Sequence, residues 1–404
     1  MAFSTVTGSN GVTSLVGTAG VDTATIVTLE SNVFIGGNIE DDTITTALGT
    51  GGNNLSDWDV RMGGGDDTFT LGDSLLDSTV YLDGATAAND GDDTFAGAGN
   101  LIINSDIRAG AGVDTYTNIV ASGSNVNGNA GNDTITVIDG SSDSSIWGGQ
   151  GTDNITVGLA AAGGNSGAAM FINGNRGSDT ITVNVGTFSA GSVYGGNGND
   201  TITMNSTTDG VLVSGDLGID GITTAAGDDT INGGDGDDTI AAGDGTDTIN
   251  GGADDDLITG GADADSLTGG TGNDTFVIAA TDSLLTADTP NAGFDEIFDF
   301  VANTGDALAD QNGDMINFGD VTSAPIADAF ATGGVSLLAD LAANVAWAAA
   351  DQVSTVTIAG GSAWDGLYLA YNNGTGGGGE VFAVDDSLVK VNTLTNVEQD
   401  TFQF

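Results

Sequence analysis

The chain has 404 residues, with 57 acidic side chains against four basic ones (Arg61, Arg108, Arg176 and Lys390), and a formal net charge of −53. That balance excludes unaided binding to nucleic acid or to an anionic membrane. No cysteine and no histidine are present, which removes disulfides, thiolate nucleophiles, imidazole bases and the usual zinc and haem ligands, so neither an HExxH zinc site nor a Ser-His-Asp triad is possible.

Five of the acids are glutamate (Glu30, Glu40, Glu296, Glu380 and Glu398) and the other 52 are aspartate. A chain acidic only for solubility has no reason to shun glutamate. Aspartate among 68 glycines is turn chemistry, because short side chains bring oxygens into tight loops and glycine supplies positive φ. With 39% hydrophobic residues and a mean hydropathy of +0.06, the chain can still bury a core.

The first residues, MAFSTVTGSNGVTSL, carry neither a basic n-region nor an apolar h-region, and so do not read as a Sec signal peptide. No stretch reaches the roughly 18 to 20 apolar residues of a membrane span. The expectation is a chain that is soluble or attached to a surface.

From residue 17 onward one turn recurs. Its marker is an aspartate, found at Asp22, Asp42, Asp67, Asp93, Asp114, Asp133, Asp153, Asp179 and Asp200, at intervals of 20, 25, 26, 21, 19, 20, 26 and 21. After a further 20 residues the interval tightens to nine, giving Asp220, Asp229, Asp238, Asp247, Asp256, Asp265 and Asp274. Two residues beyond each marker sits an apolar side chain, from Ile44 and Phe69 through to Leu267 and Phe276, with Ala24 the weak first member. Apolar residues alternate with threonines, as in Thr134-Ile135-Thr136-Val137, which is strand periodicity.

Two nonads, 18 residues, make one coil of two short strands and two turns. An upstream unit of about 20 residues is then one coil that keeps its glycine-aspartate turn on one side and lets the other turn vary. The fold class expected is an all-β parallel β-helix or β-roll solenoid with calcium-binding turns, plus a small C-terminal α+β module. Domains follow: 1–223, a degenerate one-sided β-helix of about 20 to 26 residues per coil; 224–277, regular nonads; 278–404, a C-terminal cap, secretion and assembly module. A rod of about thirteen coils spaced roughly 4.8 Å apart would be about 60 Å long.

Aspartate carboxylates and the carbonyls of glycine-rich turns are hard oxygen ligands, which suit calcium far better than a transition metal. Markers one coil apart form a long row from Asp22 to Asp220 that continues to Asp238, Asp256 and Asp274, with Asp229, Asp247 and Asp265 in a short row opposite. One ion per gap gives on the order of 14 calcium ions carrying about +28, which would cancel roughly half of the charge. Metal binding and folding would then be one event. The competing reading is a set of metal-free Asx turns.

The segments GGDGDDTIA from Gly233, GGADDDLIT from Gly251, GGADADSLT from Gly260 and GGTGNDTFV from Gly269 resemble the repeat-in-toxin (RTX) calcium-binding β-roll, with its GGxGxDxUx nonapeptide. Degenerate relatives of the turn remain at Gly148 (GGQGTDNIT) and Gly195 (GGNGNDTIT). The resemblance implies export from a Gram-negative bacterium by type I secretion, an uncleaved C-terminal signal and folding in extracellular calcium. The ending Asp400-Thr401-Phe402-Gln403-Phe404 is similar to the acid-then-hydrophobic tail of many members. After Val277 the nine-residue period is lost, and GFDEIFDF from Gly293 and GDMINFGDV from Gly313 resemble the segment that caps such rolls. A helix is expected over residues 336–351 and strands at Val353 to Ile358, Leu367 to Tyr371 and Val381 to Val384.

No effector domain is visible, so the chain reads as scaffold rather than enzyme. The function expected is a secreted calcium-binding structural protein of the Gram-negative cell surface that self-assembles, its partner being itself in a lattice or fibre, with cell-surface polysaccharide as a further candidate and with no nucleic acid. This character is similar to that of RTX-containing surface-layer proteins. The alternative is a secreted adhesin, matrix or ice- or glycan-binding module using flat coil faces such as the threonine pairs 134/136, 180/182 and 201/203. Arg108 and Arg176 read as partners in local salt bridges.

Overall fold

The structure is a computed structural model that describes residues 4–7, 13–17, 20–26, 33–38, 40–46, 54–82, 91–138, 142–158, 169–184, 188, 190–205, 210–278, 295–299, 315–318, 352–358, 366–372, 387–391 and 402–403. The chain divides into two compact units, Met1–Leu212 and Val213–Phe404. Each is built of short parallel strands.

In the first unit, the strands that follow the marker aspartates stack in one parallel sheet. It runs from Thr23–Ile26 and Thr43–Thr46 through Thr134–Val137 and Asn154–Val157 to Thr180–Val183 and Thr201–Met204, nine strands in sequence order. The register is constant: the residue after one marker faces the residue after the next, as with Thr180 and Thr201. A second parallel sheet collects the strands that precede the markers, from Thr13–Val16 and Val33–Asn38 to Phe171–Arg176 and Ser192–Asn197. The strands Asn54–Ser56, Ser74–Leu76 and Leu101–Ile103 pair with the end of Thr115–Ser122 to form a short third sheet.

Period-two alternation puts one side chain of each pair inside. Ile44, Phe69, Phe95, Tyr116, Ile135, Ile155, Ile181 and Ile202 are all fully buried, one above the next. The rings of Phe69 and Phe95 stack at 5.5 Å. Each such side chain contributes about 1.5 to 3 kcal/mol by leaving water, and only stacking buries it, since a single coil has no opposite wall. Ala24, the weak member in the sequence, is only half-buried.

The turn on the other side of the first unit is also ordered, by serine. The backbone N–H of Trp58 donates to Ser78 Oγ, that of Ser78 to Ser105 Oγ, that of Ser105 to Ser124 Oγ and that of Ser124 to Ser144 Oγ, all at 2.9 to 3.1 Å. Each hydroxyl in turn donates to a carbonyl two residues back, as Ser105 does to Ile103 and Ser144 to Ser142. Oxygen and proton are both used, so the row closes without an ion.

The second unit repeats the two-sided plan. Thr230–Asp235, Thr248–Ala253 and Ser266–Thr271 form one parallel face, and Gly221–Thr223, Thr239–Asp244, Leu257–Ala262 and Thr275–Ile278 the other. The loss of period after Val277 does not end the coil. Glu296–Ile297 adds a strand to Ser266–Leu267, and Met315–Phe318 adds one to Thr275–Ile278, so the two cap-like segments supply further rungs. An antiparallel meander of Gln352–Ile358, Gly366–Asn372 and Ser387–Val391 joins the edge through pairing of Ser387–Val391 with Glu296–Ile297. Its third strand is Ser387–Val391; the strand expected at 381–384 and the helix expected at 336–351 lie outside the described residues. Among the described residues no helix is long and apolar enough to cross a membrane.

Candidate metal centre

All sixteen marker aspartates are buried, none more than 2% exposed. Such burial is costly for a carboxylate unless its oxygens are satisfied. One oxygen is. Along the first unit the backbone N–H of one marker donates to Oδ1 of the marker one coil on, as from Asp22 to Asp42, Asp114 to Asp133, Asp153 to Asp179 and Asp179 to Asp200, all at 2.7 to 2.9 Å. In the second unit the same bond links Asp220, Asp238, Asp256 and Asp274 in one row and Asp229, Asp247 and Asp265 in another. The sequence-derived rows thus exist as hydrogen-bonded ladders within each unit.

At six markers the other oxygen has no such partner. Oδ2 of Asp133, Asp153, Asp179, Asp238, Asp247 and Asp256 is buried with no hydrogen-bond donor. At five of these markers Oδ2 is aimed at the Cα of the glycine five residues earlier. A Cβ on Gly128, Gly148, Gly174, Gly233 or Gly251 would collide with that oxygen and with the carbonyl of the corresponding glycine one coil on. Each turn therefore keeps a small space lined by one carboxylate oxygen and by backbone carbonyls. The fourth-position glycines, such as Gly151 and Gly177, have φ of +131° and +129°, which side chains rarely adopt.

Among the described residues, the one base in these turns is Arg176, three residues before Asp179. Burial pushes the carboxyls of Asp133, Asp153 and Asp179 up to about 6, against the pull of the backbone N–H that each accepts. Asp238, Asp247 and Asp256 rise to about 7, first by burial and then by the charges of neighbouring aspartates. Buried carboxyls whose ionisation is opposed in this way are sites short of a cation. The donor set, carboxylate and carbonyl oxygen with no nitrogen or sulfur, fits calcium. Among the described residues no three carboxylates converge on one point, so carbonyl oxygens from the turns would have to complete the shell.

One member of the site lies beyond the regular repeats. Asp295 is fully buried and its Oδ1 accepts the N–H of Asp265 at 3.2 Å, which extends the short row by one rung across 30 residues instead of 18. The signal was present in Gly293-Phe294-Asp295-Glu296-Ile297, which repeats the G-x-D-x-U core of the nonad. Asp299 then closes the adjacent turn, its two oxygens accepting the N–H groups of Gly269 and Gly270.

Arg176, the last residue of its strand, stands at the turn before Asp179 and makes no salt bridge among the described residues, whereas Arg61 and Arg108 sit within strands. Arg61 pairs with Asp59 and Arg108 with Asp106, at 3.0 and 2.8 Å. Both are local strand contacts.

The model of the RTX calcium-binding nonapeptide repeat matches residues 124–136, 189–204, 214–249 and 241–276. No curated protein sequence matches the chain. Among solved structures, a hyperactive, Ca2+-dependent, β-helical antifreeze protein from an Antarctic bacterium is similar over 69% of this chain and 83% of its own, with 21% identity and a TM-score of 0.45. Buried aspartate ladders, glycine-lined spaces and matched repeats agree: this chain is a parallel β-helical protein that carries RTX calcium-binding nonapeptide repeats.

Proposed function

We propose that the protein is a secreted structural protein which folds on calcium outside a Gram-negative cell and self-assembles there into a surface layer or filament. The observation that carries this reading is the rows of buried Asp Oδ2 atoms without donors, which make the folded body depend on a divalent ion found at high level outside cells. Residues 1–223 and 224–277 would form the calcium-built body, and 278–404 the cap and export module. No residue is assigned to catalysis. Assembly is favoured by an unpaired edge: among the described residues, Thr23–Ile26 pairs only with Thr43–Thr46. The neighbouring edge is more covered than the sequence suggested, because Ser4–Thr7 folds antiparallel onto Thr13–Val16. An open strand edge recruits further strands unless it is blocked. Sedimentation of the purified chain with calcium and with chelator, followed by electron microscopy of the pellet, tests the reading; a chain that stays monomeric in calcium at high concentration overturns assembly.

A second reading is favoured by the outer face of the marker-side sheet in the first unit. Of its eighteen outward positions, sixteen are threonine, the exceptions being Asn154 and Ala96, and none is charged. A bulge after Tyr116 breaks the regularity. Such a flat array of methyls and hydroxyls suits a periodic uncharged surface such as ice. A thermal-hysteresis assay of the calcium-loaded chain, with Thr136→Tyr and Thr182→Tyr as controls, separates the two readings.

A further inference from the structure

In the first unit, the sheet of strands that precede the markers carries a patch of another kind. On three successive strands, Ser145–Gln150, Phe171–Arg176 and Ser192–Asn197, the register sets Ser145, Phe171 and Ser192 in one column and Trp147, Asn173 and Tyr194 in the next. All six are part-exposed, and their strand neighbours Ile146, Ile172 and Val193 are buried, so both columns face outward. The rings touch across the columns: Trp147 and Phe171 lie 4.8 Å apart, Phe171 and Tyr194 5.3 Å.

Two properties of this patch point to its occupant. It is palindromic: about the strand Phe171–Arg176, serine answers serine and tryptophan answers tyrosine, with Phe171 and Asn173 on the central line. A two-fold axis along that strand brings Trp147 onto Tyr194 of a second copy, Ser145 onto Ser192, and Phe171 and Asn173 onto themselves. That is the self-matching pattern an isologous contact requires. The patch is also uncharged. In residues 115–204 the charged side chains besides the marker aspartates are Asp139, Asp143 and Arg176, on a chain with 57 acids. Arg176 is exposed at the turn past the patch, where its charge stays in water. Two chains of net charge −53 repel, so a contact between them belongs where the acids are missing.

We propose that this patch is a two-fold contact between copies of the chain, with their coil axes antiparallel. It deepens the assembly reading above and rests on it. An aromatic cluster depleted of charge has the composition of an interface core, and Trp and Tyr are its usual anchors. The polar groups match as well. Asn173 Oδ1 accepts the N–H of Asn175 at 2.7 Å, and its amide NH2 makes no hydrogen bond among the described residues. Facing amides can then each donate to the other's remaining lone pair. Ser145 and Ser192 each offer a donor and an acceptor. A sugar polymer suits the patch less, because the rings pack on one another at interplanar angles of 45° and 33° and present no common flat face. Three coils at about 4.8 Å per step make a small contact, which gains strength where many act together in an array.

The chain has no cysteine, so an introduced thiol reports one contact. Calcium-loaded, full-length Asn173→Cys is oxidised at high protein concentration beside Thr182→Cys, which puts its thiol on the threonine face. The expected result is a disulfide-linked dimer several-fold more abundant for Asn173→Cys. Ser145→Cys and Ser192→Cys should link when mixed and not alone, which reads the antiparallel register. Serine to cysteine is a small change at a part-exposed position, so this pair decides even where Asn173→Cys loosens its turn. Phe171→Asp should weaken self-association about tenfold or more in sedimentation equilibrium. No link above the Thr182→Cys level, while the parent still sediments in calcium, overturns this contact and leaves assembly through strand edges standing. Links from a chain that forms no pellet keep the contact and overturn the layer or filament. A monomeric parent with no link in any variant overturns both. Retention of the parent on insoluble cellulose that Phe171→Asp abolishes, without links, makes the patch a glycan platform and overturns the proposal.

Discussion

The backbone N–H of Asp238 donates to Oδ1 of Asp256, 18 residues further on and 2.9 Å away, while Oδ2 of Asp256 stays buried without a donor. One carboxylate therefore ties two coils together and holds a second oxygen ready for an ion. Binding and folding are linked at each such rung.

Substitution within a row separates these two jobs. Asp153→Asn keeps an acceptor for the N–H of Asp133 and removes the charge. In chelator this variant is expected to be more ordered than the parent; in calcium it should melt several degrees lower and need more calcium to fold. Asp153→Ala loses both and should cost about 1 to 3 kcal/mol more, for the stranded N–H of Asp133. Calcium titrations followed by circular dichroism read both effects, and elemental analysis of the loaded parent should find about 14 calcium ions per chain if every gap is filled.

Acid should partly replace calcium. Asp133, Asp153 and Asp179 in the ion-free fold titrate at about 6, and Asp238, Asp247 and Asp256 at about 7, all above the usual carboxylate range because of burial. A raised folded value means that the folded state holds more protons than the unfolded one. Its stabilising effect is complete below about pH 4 and is lost as pH rises through 6 to 7. Chelated protein is expected to show strand signal at pH 4.5 and to lose it by pH 8. A chelated chain equally ordered at both values would contradict the ladder's electrostatics.

Gly174→Ala acts on the ion's space rather than on a ligand. The added Cβ meets Asp179 Oδ2 and the carbonyl of Gly195. The backbone of Gly174 is extended, so alanine brings no φ strain there, but the collision includes the backbone of the next coil. The expected outcome is a lower melting temperature of the acid-induced fold together with weaker calcium binding at that turn. Terbium luminescence in competition with calcium measures it.

Ser124→Ala should lower stability without touching the calcium sites. Its hydroxyl accepts the N–H of Ser105 and donates to the carbonyls of Ile102 and Ser122. Removing it strands a buried N–H and should cost about 1 to 3 kcal/mol at every calcium concentration, leaving the calcium midpoint corrected for stability unchanged. Parallel melts of Ser124→Ala and Asp153→Asn across a calcium series show whether the two rows differ.

The marker aspartates and the apolar residues two places on were legible because a GxDxU turn repeats with a fixed offset, and the offset alone puts Ile135, Ile155 and Ile181 on one inner line. The serine row was not. Ser105, Ser124 and Ser144 each stand nine residues before a marker, but Ser78 stands fifteen before Asp93, the turns around them vary in sequence and lack a glycine pair, and serine is common enough to hide so short a row. Asp295 was hidden by distance, since a longer connection separates it from Asp265 while the bond between them is the usual one.

The spacing between markers varies from 19 residues, Asp114 to Asp133, to 26, Asp153 to Asp179, yet the bonds that join them are 2.9 and 2.8 Å. The bond senses only the two turns it connects, so its length does not follow the number of residues between them. Inserted peptides of several residues should therefore be carried as ornaments on an unaltered spine, which makes the first unit a natural platform for grafting foreign loops.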